Sequence, residues 1–546
     1  MRHRTLHFEV FEAKQMLTQI VVNTLEDVVN PNDAWVSLRE AIAQANETTE
    51  LDEIHFAPSL NGGTLKLTSG ELVMQQFSPV KIIGPGARLL TIDASTSDPT
   101  PNQDQGDGSR HFNALNGEIQ GLTLTGGDAG GYPGGGSIVA GDLIVRDMIF
   151  RGNYSAEEAG AIRAFGQLEV YDSWFDGNSA FDDGGAIYTF GPLHVENSAF
   201  TNNFTDGWRG ADGGAIAARS RYGEMVISNS TFSGNQIRRF GGGGGAIDYG
   251  GTVVGRIIHS TIVNNSSPSS PGVHVHNGTF EIYNTVMAQN VGGADGDLVL
   301  RTSTTLRSSL IGNAGTLPFQ DFQKVLFGRP GNPLDPMLSP LIDDGQLLPY
   351  HRPLPGSPLV DSGQNDGFEQ VAYDQRGTPY WRLFGQPDIG AIESNRTSDL
   401  NRNDVADIGD IDMLCLAIRF HSTDSFFDLD SNDIVDLADL DWLTQNWRTT
   451  AGDANVDRAF DTADLVSVFS AAEYESDFPN SKWSTGDWNC DGRFDSSDLI
   501  LAFKAGSFEV KSPEGASVNW EVASALAHLY SSDDKVTKPY AAISLD

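Results

Sequence analysis

Between about residue 134 and residue 313 one short unit recurs roughly every 25 residues, which restricts the chain to architectures in which units stack. Each unit opens Gly-Ala-Ile, at Gly160-Ala161-Ile162, Gly185-Ala186-Ile187, Gly214-Ala215-Ile216 and Gly245-Ala246-Ile247, with Gly136-Ser137-Ile138 and Gly272-Val273-His274 as end variants. Later positions keep step. Val145, Val170, Val195, Ile227, Ile257 and Ile282 form one series; Phe150, Phe175, Phe200, Phe232, Ile262 and Met287 the next; Asn153, Asn178, Asn203, Asn235, Asn265 and Asn290 close the unit. A unit this short, with period-two strands, cannot bury its apolar face alone. Parallel coils about 4.8 Å apart place like residues above one another. The spacing therefore predicts a mainly β fold, a right-handed parallel β-helix with Val/Ile and Phe columns inside and an asparagine ladder at a bend.

The C-terminal quarter follows a different rule. Calcium takes oxygen ligands, and a loop of EF-hand spacing supplies them from positions 1, 3, 5, 7 (a carbonyl), 9 and 12. Four segments comply. The first offers Asp399, Asn401, Asn403, the Val405 carbonyl, Asp407 and Asp410; the second Asp428, Asp430, Asn432, the Ile434 carbonyl, Asp436 and Asp439. The third offers Asp453, Asn455, Asp457, the Ala459 carbonyl, Asp461 and Asp464; the fourth Asp487, Asn489, Asp491, the Arg493 carbonyl, Asp495 and Asp498. Position 6, where glycine eases the sharp turn, is Asp404, Asp433, Arg458 and Gly492. Each loop runs into an apolar stretch that reads as a helix: Met413 to Phe420, Leu440 to Trp447, Leu465 to Ala472 and Leu499 to Phe503. Calcium is the expected cofactor.

The formal charge of -38 argues against nucleic acid and anionic lipid as partners and for cations. No apolar run is long enough to cross a bilayer as a helix. Only Cys415 and Cys490 occur, and whether they pair stays open. The basic start Met1-Arg2-His3-Arg4 is followed by Glu9, Glu12 and Lys14, which interrupt the apolar region of a standard secretion signal.

Loop followed by helix, twice in each half, resembles two tandem dockerin type I pairs. That resemblance implies calcium-dependent folding and docking onto a cohesin-type protein. Partner-reading residues would fall at loop positions 10 and 11, here Ile408-Gly409, Leu437-Ala438, Thr462-Ala463 and Ser496-Ser497, of which the last two carry the hydroxyl pattern. Val36-Ser37-Leu38-Arg39-Glu40-Ala41-Ile42, with Ile83-Gly84-Pro85-Gly86-Ala87, resembles the opening of CSLREA-type bacterial β-helix proteins related to polymorphic outer-membrane proteins, which implies a helix capping the coil. Leu354-Pro355-Gly356-Ser357-Pro358-Leu359-Val360-Asp361-Ser362-Gly363, Asp374-Gln375-Arg376-Gly377 and Asp388-Ile389-Gly390-Ala391-Ile392-Glu393 resemble a choice-of-anchor segment. Residues 6–17 resemble an LEPR-type motif of large bacterial surface proteins and imply export to the cell surface. The chain divides as 1–22, an export-like segment; 23–133, cap and first coils; 134–313, repeats; 314–394, the anchor-like segment; 395–450 and 451–510, the two dockerin-like pairs; and 511–546, a tail.

Within the repeat, Glu158, Asp183 and Asp212 each stand three residues before the alanine, which predicts a stack about 5 to 10 Å deep. Like charges so close favour a general acid or a bound cation unless solvent screens them. Insertions gather on the same edge, with Trp208, Arg209, Arg238, Arg239 and Phe240 suited to stacking on and pairing with an anionic glycan. His194, His259, His274 and His276 share no register, and no nucleophile triad is legible. The reading is an exported calcium-binding surface protein, a β-helix platform for adhesion or glycan binding with docking modules. Its rival is a polysaccharide lyase or glycosidase acting on anionic glycans.

Overall fold

The computed structural model describes residues 18–509 apart from 48, 50, 76–78, 102, 209, 240–241, 294, 316, 318–321, 344, 346–347, 355, 365–371, 378–379, 381, 383–385, 395–398, 402–405, 425–426, 431–433, 477–479 and 506–507. The LEPR-like motif, the tail, Arg209, Phe240, Asn403, Val405 and Asn432 thus lie outside the described residues. Two compact units divide at residue 406.

The first unit is a parallel β-solenoid of about ten turns. Three strands per coil join a continuous 28-stranded sheet, and a short fourth strand builds a separate seven-stranded ladder from Asp128–Ala129 to Val291–Gly292. The repeat columns fall in register. Ile20, Ile54, Ile82, Ile119, Val145, Val170, Val195, Ile227, Ile257, Ile282 and Leu306 are successive partners, so the coil begins well before the legible repeat. All but Ile20 are completely buried. Phe150, Phe175, Phe200 and Phe232 stack with ring centroids 4.7 Å apart at every step. Coil spacing also explains the glycine of Gly-Ala-Ile. A Cβ on Gly185 or Gly214 would stand 2.1 Å from the carbonyl oxygen of the next coil, Gly214 or Gly245.

Helix α1 (Leu38–Ala45) starts on a Ser37/Glu40 capping box and buries Leu38, Ala41, Ile42 and Ala45 against the solenoid core. The non-repeating segment after residue 333 runs along the third strands of the coils. Leu359 and Ile389 pack on Val263, Val286, Ala288 and Leu310; the Ala391 amide donates to Thr261 Oγ1 at 2.9 Å, and His351 Nε2 meets Ser233 Oγ at 2.9 Å.

The second unit holds α2 (Ile408–Arg419), α3 (Leu437–Trp447), α4 (Thr462–Ser470) and α5 (Ser496–Lys504). Every one begins at loop position 10, several residues before the apolar stretch. Aspartates at positions 9 and 12 form a capping box that starts the helix inside the loop. Trp447, Trp483 and Trp488 are buried, and Cys415 and Cys490 form a disulfide between α2 and the fourth loop.

Candidate functional site

The loops of the second unit share one construction. In the third, Asp464 Oδ1 accepts the amides of Ala454 (3.0 Å) and Asn455 (3.3 Å), while Oδ2 accepts that of Asp461 (2.9 Å). In the fourth, Asp498 Oδ1 accepts Trp488 (2.9 Å) and Asn489 (3.1 Å), and Oδ2 accepts Asp495 (3.0 Å). Asp439 repeats this in the second loop with Leu429, Asp430 and Asp436. Position 12 therefore ties both ends of each loop to the helix it opens. In the first loop Asp410 accepts the Asp407 amide in the same way at 2.8 Å; Asp399 and Asn401 fall in the other unit.

The donor set fits a hard cation. One carboxylate oxygen from each of Asp428, Asp430 and Asp439 lies within 4.8 Å of the others. Asp487 is 1% exposed; its Oδ2 accepts from Gly492 N (2.9 Å) and Arg419 Nη2 (2.8 Å), but its buried Oδ1 has no partner among the described residues. Burial, with neighbouring carboxylates adding to it, pushes Asp453 and Asp498 up to about 6 and Asp487 to about 7. Asn455 and Asn489 turn toward Asp457 and Asp491, whose other oxygens fix the Ala459 and Arg493 amides.

On the solenoid, Glu158, Asp183 and Asp212 do form a column. The Asp212 amide donates to Asp183 Oδ1 and the Gly243 amide to Asp212 Oδ1, each at 2.8 Å. Glu158 pairs with the buried Arg163, whose guanidinium lies 5.0 to 5.5 Å from the rings of Tyr132, Phe165, Tyr188 and Phe190. Arg219 collects three acids, reaching Asp183 at 3.2 Å, Asp212 at 2.9 Å and Asp248 at 2.6 Å. Burial, against the pull of Arg219, raises Asp183 to about 7 and raises Asp212 as well. Asp248 goes the other way, held at about 2 against its burial by His274, His276 and Arg219.

Sequence reasoning missed the Arg219, Asp248 and histidine part of this cluster. His274 and His276 do share a destination, since Asp248 and His274 are strand partners and His276 Nε2 stands 2.9 Å from Asp248 Oδ1. Arg219 was hidden because it comes from a different column than the acids. Trp208 is 63% exposed, with the Arg239 guanidinium 4.4 Å over its ring. A groove of about 630 Å³ runs past Phe165, Gln167, Phe190, Arg221 and Tyr222.

These features define a parallel β-solenoid protein with acidic loop-helix modules. No protein-family model and no curated protein matches the chain. Among solved structures it is similar to the PL6 family alginate lyase AlyGC, with 12% identity and a TM-score of 0.21 over 61% of this chain. The match spans about half of that structure, 55% of its length.

Proposed function

We propose that this is an exported calcium-binding surface protein whose CSLREA-like solenoid serves as a platform for adhesion or glycan binding, and whose dockerin-like modules dock or anchor it. The observation that carries the reading is the common loop construction, in which position 12 closes the loop and the buried Asp487 Oδ1 has no donor among the described residues. Calcium would be held by the carboxylates and amides at positions 1, 3, 5, 9 and 12 with the position-7 carbonyl, and would neutralise acids that otherwise repel one another. Export is supported by the Cys415–Cys490 disulfide, since such bonds persist in oxidising compartments. Docking onto a cohesin-type partner is supported by two matching exposed patches, Thr462, Ala463 and Val466 on α4 and Ser496, Ser497 and Ile500 on α5. Calorimetric titration of the full chain with calcium tests the proposal. Two or more sites, with a gain in helicity, are expected, and Asp457→Asn with Asp491→Asn should remove the third and fourth; a chain that takes up fewer than two ions refutes it.

A second reading rests on Asp183, a carboxyl raised to about 7 beside Arg219, which suits general acid chemistry on an anionic polysaccharide. Its test is release of reducing or unsaturated ends from a panel of anionic polysaccharides with calcium present. Activity abolished by Asp183→Asn would make this protein a lyase or glycosidase; no product from any member of the panel eliminates that reading.

A further inference from the structure

The column of acids stops at a glycine. Glu158, Asp183 and Asp212 stand three residues before Ala161, Ala186 and Ala215; the same place before Ala246 is Gly243. A Cβ there would sit 1.7 Å from His274 Nδ1, so the missing side chain is what admits the imidazole. His274 is 4% exposed, and its Nε2 has no hydrogen-bond partner among the described residues. Its Nδ1 lies 3.2 Å from Asp248 Oδ1, the same oxygen that His276 Nε2 approaches to 2.9 Å. The two rings are 3.9 Å apart between centroids. Asp248 is completely buried, and its other oxygen is occupied by Arg219 Nη1 at 2.6 Å.

From this convergence we propose that Asp248 Oδ1, His274 Nδ1 and His276 Nε2 form a binding site for a divalent first-row transition ion of the zinc class. Bonds of about 2.0 to 2.1 Å meeting at about 90 to 110° place their donor atoms about 2.9 to 3.4 Å apart, which is how the two nitrogens stand from the carboxylate oxygen. Two imidazoles select such an ion over calcium, which prefers oxygen alone. Arg219 fixes the Asp248 carboxylate from behind, the arrangement that outer partners of metal ligands adopt. Charge agrees: three carboxyl groups, Asp183, Asp212 and Asp248, face the single cation of Arg219, an excess of acid that a divalent ion would relieve. The half-buried His276 gives a path from solvent. A buried imidazole whose Nε2 has no hydrogen-bond partner among the described residues and whose Nδ1 faces the Asp248 carboxylate then has a reason to be there.

The test uses the full-length chain without a histidine tag, stripped with chelator and held in saturating calcium so that the C-terminal loops are filled. Zinc titration should give one ion per chain, and cobalt in its place should give the visible absorption of a nitrogen-ligated site. His276→Gln, at a half-exposed position, should weaken zinc about tenfold or more while the melting temperature and calcium uptake stay unchanged; His274→Ala should weaken zinc as well with calcium uptake unchanged, at a lowered melting temperature because it opens a buried cavity. Zinc affinity unchanged in both variants, or no zinc bound above calcium, overturns the proposal and leaves the calcium reading untouched.

Discussion

Asn290 Nδ2 donates to Asp297 Oδ1 at 2.8 Å, and with that bond the asparagine ladder ends on a carboxylate. Below it every rung repeats one pattern. The amide of Asn153, Asn178, Asn203, Asn235 and Asn265 donates to the Oδ1 of the next rung at 2.9 to 3.0 Å, and each rung also donates to a main-chain carbonyl of the coil before.

Asn203 is therefore a position where truncation strands several buried partners at once. Asn203→Ala leaves the Asn178 main-chain amide and the Phe175 carbonyl without these bonds, and takes one bond each from the Asn178 side chain, which keeps Phe150 O, and Asn235 Oδ1, which keeps the Asn203 amide. The expected cost is about 3 to 5 kcal/mol, read as a lowered midpoint in urea denaturation of the solenoid. A midpoint equal to that of the parent chain would show that the ladder adds no stability.

His111 sets an acid limit on the same unit. It is completely buried between the Ile92 and Thr125 carbonyls, with Ser137 Oγ on Nδ1, and burial pushes it down to about 4 despite those carbonyls and Asp93. The folded-state value lies below the unfolded one, so the unfolded chain binds the extra proton first. Stability is full above about pH 6.5 and falls as pH drops toward 4, by about 3 kcal/mol in all. His111→Gln should flatten that part of the melting-temperature profile between pH 7 and 4.5; an identical slope in both proteins would assign the acid sensitivity elsewhere.

The columns were legible because a solenoid converts sequence period into spatial neighbours, and Val170 or Phe200 needs no knowledge of the loops to find its partner. The acid column was legible for the same reason. Arg219, Asp248 and His276 were not: Arg219 reaches Asp183 and Asp248 across 36 and 29 residues and His276 reaches Asp248 across 28, separations set by insertions of unequal length, and from different columns. The loop-then-helix order of the C-terminal segments was readable because the acidic positions and the helix starts are local. Their helices start earlier than hydrophobicity suggests because a capping box outweighs the polarity of the first turn, and no local rule could join Cys415 to Cys490.

That disulfide closes a separation of 75 residues within the second unit. Loop-closure entropy for such a span corresponds to about 4 kcal/mol. Cys415→Ser with Cys490→Ser should lower the stability of the helical unit by that order while leaving the solenoid transition in place, which differential scanning calorimetry separates. A single unshifted pair of transitions would mean that helix packing around Trp483 and Trp488 suffices alone.

Arg419 offers the sharpest test of what the fourth loop is for. Its Nη2 donates to Asp487 Oδ2 at 2.8 Å, its Nε to the Cys490 carbonyl at 3.4 Å and its Nη1 to Asn480 at 3.2 Å, so a fixed positive charge rests on the first ligand position. In a loop built only for structure this pair is stabilising, and removing the arginine should do nothing but loosen the fold. In a loop that takes calcium, guanidinium and ion compete for the same carboxylate. A unit charge about 4 to 5 Å from a divalent ion is worth about 1 to 2 kcal/mol even at the dielectric of water. Arg419→Gln should then tighten calcium at the fourth loop about tenfold, with the remaining sites unchanged, in a titration that resolves them. Affinity that stays level or weakens would assign Arg419 to holding the loop in shape rather than to opposing the ion.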